Sequence, residues 1–230
     1  MKKEIKKQNE KKEMKEVNNT SKKGKKNNTN NETLDVVYIL DRSGSMSDVE
    51  EETIKGYNNY LLSQKDNKVK LTTVLFDDDY EMITKRIDIS KVKELTNKTY
   101  YPRGCTALYD AIGKTINYID KEDTKKVLFI INTDGLENAS SDYDKKKICN
   151  LIKKHKDWEF MYIGANIDSY SEAQSIGIKA SNISNYKKDK KGTKILYDTL
   201  SSCTMMMAKC DKIDTNWKED LEKYMKENEE

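Results

Sequence analysis

Three continuous apolar runs, separated by segments with a helical repeat, constrain the fold of this chain most strongly. The runs are Leu34–Asp41, Lys126–Gly135 and Trp158–Gly164. Strands buried on both faces of a parallel sheet have this composition, whereas strands with one solvated face alternate apolar and polar residues. Parallel strands also need long crossover connections, which are usually helical. The pattern therefore predicts an α/β fold with a mostly parallel sheet and helices on both faces.

The segments between these runs predict the remaining elements. Residues 69–76 and 80–89 are two further runs joined by Asp77-Asp78-Asp79, which predicts a hairpin and one antiparallel edge strand. Helices are predicted over about 46–65, 106–119, 143–155 and 169–176, and a last core helix contains residues 195–207. A small edge strand is predicted before that last helix.

The apolar residues are concentrated in the middle of the chain. Only 35% of the residues are hydrophobic, below the roughly 45–50% of an average soluble domain. Residues 1–33 are rich in Lys and Asn and bury too little to offset the entropy of ordering, so we expect a disordered tail. Residues 211–230 are predicted to be a charged tail that can form a helix. The folded domain is therefore expected over 34–210.

Composition and termini exclude several classes of protein. The net charge is +3, which argues against a dedicated nucleic-acid-binding protein. No apolar run approaches the roughly 20 residues of a membrane span, and the first residues contain no apolar signal segment. The four cysteines lack CxxC spacing and, with a single histidine, form no zinc motif. We expect a cytoplasmic protein with free thiols.

Five residues with oxygen-bearing side chains are predicted to meet at one edge of the sheet. Asp41, Ser43 and Ser45 follow the first strand, Thr106 precedes a helix, and Asp134 follows the second buried run. Ligands of open α/β sheets bind at the carboxyl ends of the strands, near the switch point of the strand order. An all-oxygen set suits a hard cation such as Mg²⁺, with Mn²⁺ or Ca²⁺ as alternatives. Neutral hydroxyl ligands leave the ion able to attract an external carboxylate.

Other interpretations of the polar residues remain open from the sequence. Ser43 or Ser45 could cap the first helix, and Thr106 the helix that follows it. The three acids at 77–79 fit a solvated hairpin turn better than a second cation site. His155 lies among Lys153, Lys154 and Lys156 at a predicted helix end, where a charge interacting with the helix C-terminus is favoured over a catalytic base.

Sequence motifs for catalysis are missing. The chain contains no GxxxxGK[ST], GxGxxG or GxSxG pattern. We therefore expect a protein that is not an enzyme. A metal-dependent hydrolase that uses the same ion as a Lewis acid is the alternative from the enzyme class.

Three motifs resemble those of von Willebrand factor type A domains. Asp41-Arg42-Ser43-Gly44-Ser45 is similar to the DxSxS motif of the family's metal-ion-dependent adhesion site. Residues 103–111 (RGCTALYDA) resemble the segment that carries the threonine of that site, and residues 131–135 (INTDG) its final aspartate motif. The motifs follow the family's order and spacing, and the resemblance covers about residues 35–210.

The resemblance implies a fold and a set of metal ligands. The implied fold is a Rossmann-like sheet of six strands in the order 3-2-1-4-5-6, with the third strand antiparallel. Ser43, Ser45 and, in the ligand-competent state, Thr106 would coordinate the ion directly, whereas Asp41 and Asp134 would bind directly or through water. Asp110 is expected to have a supporting role.

The resemblance also implies a function. The segments at 133–140 and 158–166 are most similar to small, stand-alone bacterial and phage members of the family. The implied function is an Mg²⁺-dependent protein-binding module whose cation accepts an Asp or Glu carboxylate from a partner protein. A structural or assembly component of a phage or bacterium is the alternative, and the sequence predicts no oligomeric state.

Overall fold

A computed structural model of the protein describes residues 32–165 and 168–228. Within them, one six-stranded sheet has the order β3-β2-β1-β4-β5-β6. The strands are β1 (Leu34–Asp41), β2 (Val69–Phe76), β3 (Tyr80–Asp88), β4 (Val127–Thr133), β5 (Glu159–Gly164) and β6 (Ile183–Asn185). Neighbouring strands are parallel except for the antiparallel β2–β3 pair. The predicted α/β fold, strand order and antiparallel edge strand are confirmed.

The helices of the described residues connect these strands. They are α1 (Glu50–Gln64), α2 (Leu108–Ile119), α3 (Lys145–Lys154), α4 (Ser169–Ser175), α5 (Lys190–Cys210) and α6 (Glu219–Lys226). The helix predicted from about residue 46 begins as a 3₁₀ turn, Gly44–Val49, because glycine, serine and aspartate favour turns over α-helix. None of the described helices has both the length and the apolar character needed to cross a membrane.

The central strand β1 is buried along its whole length. Val36, Tyr38 and Leu40 face one core, which α1 and α5 cover. Val37 and Ile39 face a second core, which α2, α3 and α4 cover. Both faces are apolar, so this strand is a continuous hydrophobic run in the sequence. The two cores fix the carboxyl ends of β1 and β4 side by side, at the point where the strand order reverses.

The segment after α5 packs on the domain. Leu221 of α6 is 1% exposed and belongs to the core shared with α1 and α5. Trp217 packs against the same core and donates from Nε1 to the carbonyl of Ser181 at 2.8 Å. The charged tail expected from residue 211 onward thus contains the predicted helix, and over the described part it covers the short edge strand β6. The tail expected over residues 1–33 lies outside the described residues except for its last two.

Candidate metal centre

Asp41, the last residue of β1, is fully buried at the carboxyl edge of the sheet. Its carboxylate accepts the backbone N–H of Ser43 at 2.6 Å and the hydroxyl of Thr133 at the end of β4. Burial raises the pKa of Asp41 to about 6, and the charge of Asp134 adds to the increase, although the hydrogen bonds from Ser43 and Thr133 oppose it. A cation bound beside Asp41 would stabilise its charged form.

The hydroxyls of Ser43 and Ser45 lie next to each other, with 3.1 Å between their Oγ atoms. Ser45 Oγ donates to Asp134 Oδ1 at 2.5 Å. Ser43 precedes the 3₁₀ turn, but its side chain makes no capping hydrogen bond. The hydroxyls therefore contact each other and a carboxylate, and the interpretation of Ser43 as a helix cap is wrong.

Thr106 is held beside the Asp134 loop by two hydrogen bonds. Its N–H donates to Asn138 Oδ1 at 2.8 Å, and its carbonyl accepts the N–H of Asn138 at 3.0 Å. A Cβ atom at Gly135 would lie 2.8 Å from Thr106 Oγ1, so only glycine lets the backbone after Asp134 approach that hydroxyl. The helix α2 begins after Ala107 without a side-chain cap, so Thr106 does not cap it.

A buried arginine network holds these loops together. Arg42 is fully buried and donates from Nε to Asp77 Oδ2 at 2.9 Å and from Nη1 to Glu81 at 2.8 Å. Arg103 donates to the same Asp77 oxygen at 2.9 Å, and its N–H donates to the carbonyl of Arg42 at 2.8 Å. The hairpin turn at 77–79 is confirmed, but Asp77 is buried, not solvated, because it is the counter-ion of both arginines. The network fixes the loop that carries Ser43 and Ser45.

Lys188, which sequence reasoning missed, also contacts the site. From the loop between β6 and α5, its Nζ donates to the carbonyl of Ser45 at 2.9 Å and to Asp134 Oδ2 at 3.1 Å, and lies 3.5 Å from Asp48. Partial burial lowers the pKa of Lys188, but the hydrogen bond and charge of Asp134 outweigh it, so the net shift is upward and the amine stays charged. Lys188 is 54 positions from Asp134 in the sequence. It lies among other lysines, and no sequence pattern distinguishes it from them.

The donor atoms fit a hard cation. The structure links Asp41, Ser43, Ser45 and Asp134 through hydrogen bonds and places Thr106 beside the residue after Asp134. All of the side-chain donors are oxygens, and among the described residues no group of three or more His, Cys, Asp or Glu side chains is placed to hold a metal ion. One of these oxygens, Asp134 Oδ2, already accepts a hydrogen bond from the charged ammonium of Lys188. The five residues are thus in place to hold a metal ion, and their role as its ligands stays a prediction.

Two further candidates lie outside this site. Asp110 accepts the backbone N–H groups of Asp142 and Tyr143 at 3.0 and 2.9 Å, so it holds the loop after β4, as the supporting role requires. His155 ends α3 and stacks on Trp158 with 3.9 Å between ring centroids. Burial lowers the pKa of His155, so its neutral form is favoured there.

The topology and the oxygen-lined loops define a doubly wound α/β domain with a candidate cation site at its switch point. The chain belongs to the von Willebrand factor type A domain family, whose sequence profile matches residues 35–197. The family indicated by the three sequence motifs is confirmed. No curated protein sequence matches the chain significantly.

Solved structures of low sequence identity share this fold. The von Willebrand factor domain of the type V pili tip protein Mfa5 from Porphyromonas gingivalis matches with a TM-score of 0.60 and 8% identity, over 79% of this chain and 98% of that one. The PilB minor pilin from Streptococcus sanguinis matches with a TM-score of 0.59 and 11% identity, over 77% and 62%. A von Willebrand factor type A protein from Catenulispora acidiphila matches with a TM-score of 0.53 and 13% identity, over 76% of this chain and 43% of that one. This chain therefore spans less than two thirds of the pilin.

Proposed function

We propose that this chain is a non-enzymatic, Mg²⁺-dependent module that binds a protein partner. Ser43, Ser45 and Thr106 would hold the ion, and Asp41 and Asp134 would bind it directly or through water. The observation that carries the proposal is the hydrogen-bonded series of two hydroxyls and Asp134 beside the buried Asp41, at the switch point of the sheet. When bound, the ion supplies a positive coordination position for an Asp or Glu carboxylate of the partner, and Mn²⁺ or Ca²⁺ are alternative ions.

The exposure of the residues gives the direction from which a partner approaches. Asp41 and Ser43 are buried, whereas Ser45 is exposed. Two carboxylates lie on this side of the site, that of Asp134, which bonds Ser45, and that of Asp48, which is 79% exposed. These charges repel an acidic partner until a divalent ion neutralises them locally. We therefore expect association to depend on the ion, not on the net charge of the surface.

The position of His155 favours binding over hydrolysis. It is the single histidine of the chain and lies next to Trp158, just before β5 begins, at the amino end of the strands. The candidate metal centre lies at their carboxyl ends. A hydrolase built on this site would thus need a general base other than histidine. A phosphatase and ATPase activity that Asp41→Ala abolishes would contradict a purely binding function.

Calorimetric titration of Mg²⁺ and Mn²⁺ into the full chain tests the metal site. We expect one ion per chain for the wild type and loss of uptake in the double variant Asp41→Ala, Ser43→Ala. Ser202→Ala is the matched control, since this exposed hydroxyl bonds only within α5, to the carbonyl of Asp198. Equal uptake by the double variant and the wild type would show that these residues do not bind the ion.

Partner capture with and without EDTA then tests the binding function. Proteins retained from a lysate by a metal-bridged contact should be lost in EDTA and in Ser45→Ala. Identical sets of captured proteins under both conditions would contradict metal-bridged binding.

A structural role in an assembly is the second candidate, favoured by the similarity to a minor pilin and a pili tip protein. Deletion of residues 1–33 would distinguish the two roles. An assembly component should lose its assembly, which light scattering measures, whereas an independent binding module keeps its partner without this segment. The expected cytoplasmic location stays a prediction.

A further inference from the structure

Lys188 places a second positive group at the candidate metal centre. Its ammonium donates two hydrogen bonds to the site itself, to the carbonyl of Ser45 and to Asp134 Oδ2. The hydroxyl of Ser45 bonds the other oxygen of that carboxylate, Oδ1. The hydroxyl of Ser45 and the ammonium of Lys188 therefore contact different oxygens of Asp134. An ion bound on the hydroxyl side leaves the ammonium in place on the other side.

The solvent side of Lys188 is within reach of a carboxylate. Asp48 Oδ2 lies 3.5 Å from Nζ, although the Asp48 side chain is 79% exposed and the Lys188 side chain 25% exposed. The ion pair is long and its carboxylate is exposed, so it contributes little to stability and another carboxylate can replace Asp48 at low cost. Asp48 thus marks the place where an external carboxylate can contact the ammonium.

We propose that the partner's carboxylate is held between the bound divalent ion and the ammonium of Lys188. The inference rests on the proposed function and adds a residue that selects carboxylates at the same site. Two positive groups that hold one anion repel each other when the anion is absent. Lys188 therefore weakens binding of the ion alone and strengthens binding of a carboxylate to the ion-loaded protein.

The first measurement is Mn²⁺ titration by calorimetry of the full-length wild type, Lys188→Met and Lys187→Met. We expect Lys188→Met to bind Mn²⁺ about tenfold more tightly than the wild type, because the repulsion is removed. Lys187→Met is the matched control: it makes the same change in net charge, but Lys187 Nζ donates to the carbonyl of Asn228, away from the site. The control should bind Mn²⁺ as the wild type does.

The second measurement uses trifluoroacetate as the carboxylate probe on the Mn²⁺-saturated proteins. Bound Mn²⁺ broadens the fluorine resonance of a carboxylate that exchanges through its coordination position. We expect at least threefold less broadening for Lys188→Met than for the wild type and Lys187→Met, in spite of its tighter hold on the ion.

The outcomes separate the inference from the function on which it rests. Mn²⁺ uptake by none of the three proteins would overturn the proposed function. Uptake by all three with equal or weaker affinity in Lys188→Met, or with undiminished fluorine broadening, would leave the metal site standing and overturn the role of Lys188.

Discussion

At the scale of single residues, Asp41 connects the stability of the domain to the charge of its site. Its carboxyl is fully buried, and burial raises its pKa to about 6. The hydrogen bonds from Ser43 and Thr133 only partly offset the loss of hydration. A buried acid with few compensating charges is costly to ionise. The domain therefore carries, at neutral pH, an energetic cost that a bound cation can offset.

This cost predicts a pH dependence of metal-free stability. The native state binds the Asp41 proton more tightly than the unfolded state, whose pKa is near 3.8, so the associated stability is present at low pH and is lost as pH rises to about 6. The loss between pH 4 and 7 amounts to about 2 kcal/mol. Urea unfolding at several pH values, with metal removed, should show this component in the wild type and not in Asp41→Asn. Parallel pH profiles of the two proteins would contradict it.

At the scale of the elements, one carboxylate connects the β2–β3 hairpin to two loops of the site, the loop after β1 and the loop before α2. Asp77 is 1% exposed and accepts hydrogen bonds from Arg42 and Arg103 through the same oxygen. Glu81 of β3 supplies a second, more exposed partner for Arg42. The turn before the edge strand thus provides the counter-ion that orders the two loops carrying Arg42 and Arg103.

Removal of this charge should destabilise the fold. Asp77→Asn leaves the buried guanidinium of Arg42 with only the half-exposed Glu81, and we expect a loss of about 3 kcal/mol in the free energy of unfolding. Asp79→Asn, in the same turn and 75% exposed, should lose less than about 1 kcal/mol. Urea unfolding of both variants provides the comparison. Similar losses in the two would show that burial of Asp77 has no special effect.

The strands, and the proximity of four of the five candidate residues, could be predicted, because each leaves a local pattern. The buried strands β1, β4 and β5 are continuous apolar runs, and the site residues directly follow strands or precede a helix. The contacts of Asp77 and Lys188 could not be predicted, since each joins segments far apart in a chain that is 36% charged. Charged residues that meet only in the folded protein have no characteristic spacing in the sequence.

At the scale of the whole molecule, the domain extends beyond the last core helix that the sequence predicts. The short strand β6 pairs with β5 on one side only. Lys218 donates from Nζ to the carbonyls of Ala180 and Ile183 at 3.3 and 2.9 Å, so the segment before α6 satisfies backbone groups at this edge. Covering an edge in this way protects it from pairing with other chains. The charged composition of residues 211–228 conceals this role, because few of their apolar side chains face the core.

Leu221 anchors that covering segment, so its truncation tests where the folded unit ends. The side chain is 1% exposed in the core shared with α1 and α5. Leu221→Ala should therefore lower the free energy of unfolding by about 3 kcal/mol, through lost burial and a residual cavity. Leu62→Ala, on α1 and 50% exposed, is the control and should change it by less than about 1 kcal/mol. Urea unfolding measures both variants. An equally small effect of the two substitutions would mean that the domain is stable without α6, and that the charged segment is the tail that its composition suggests.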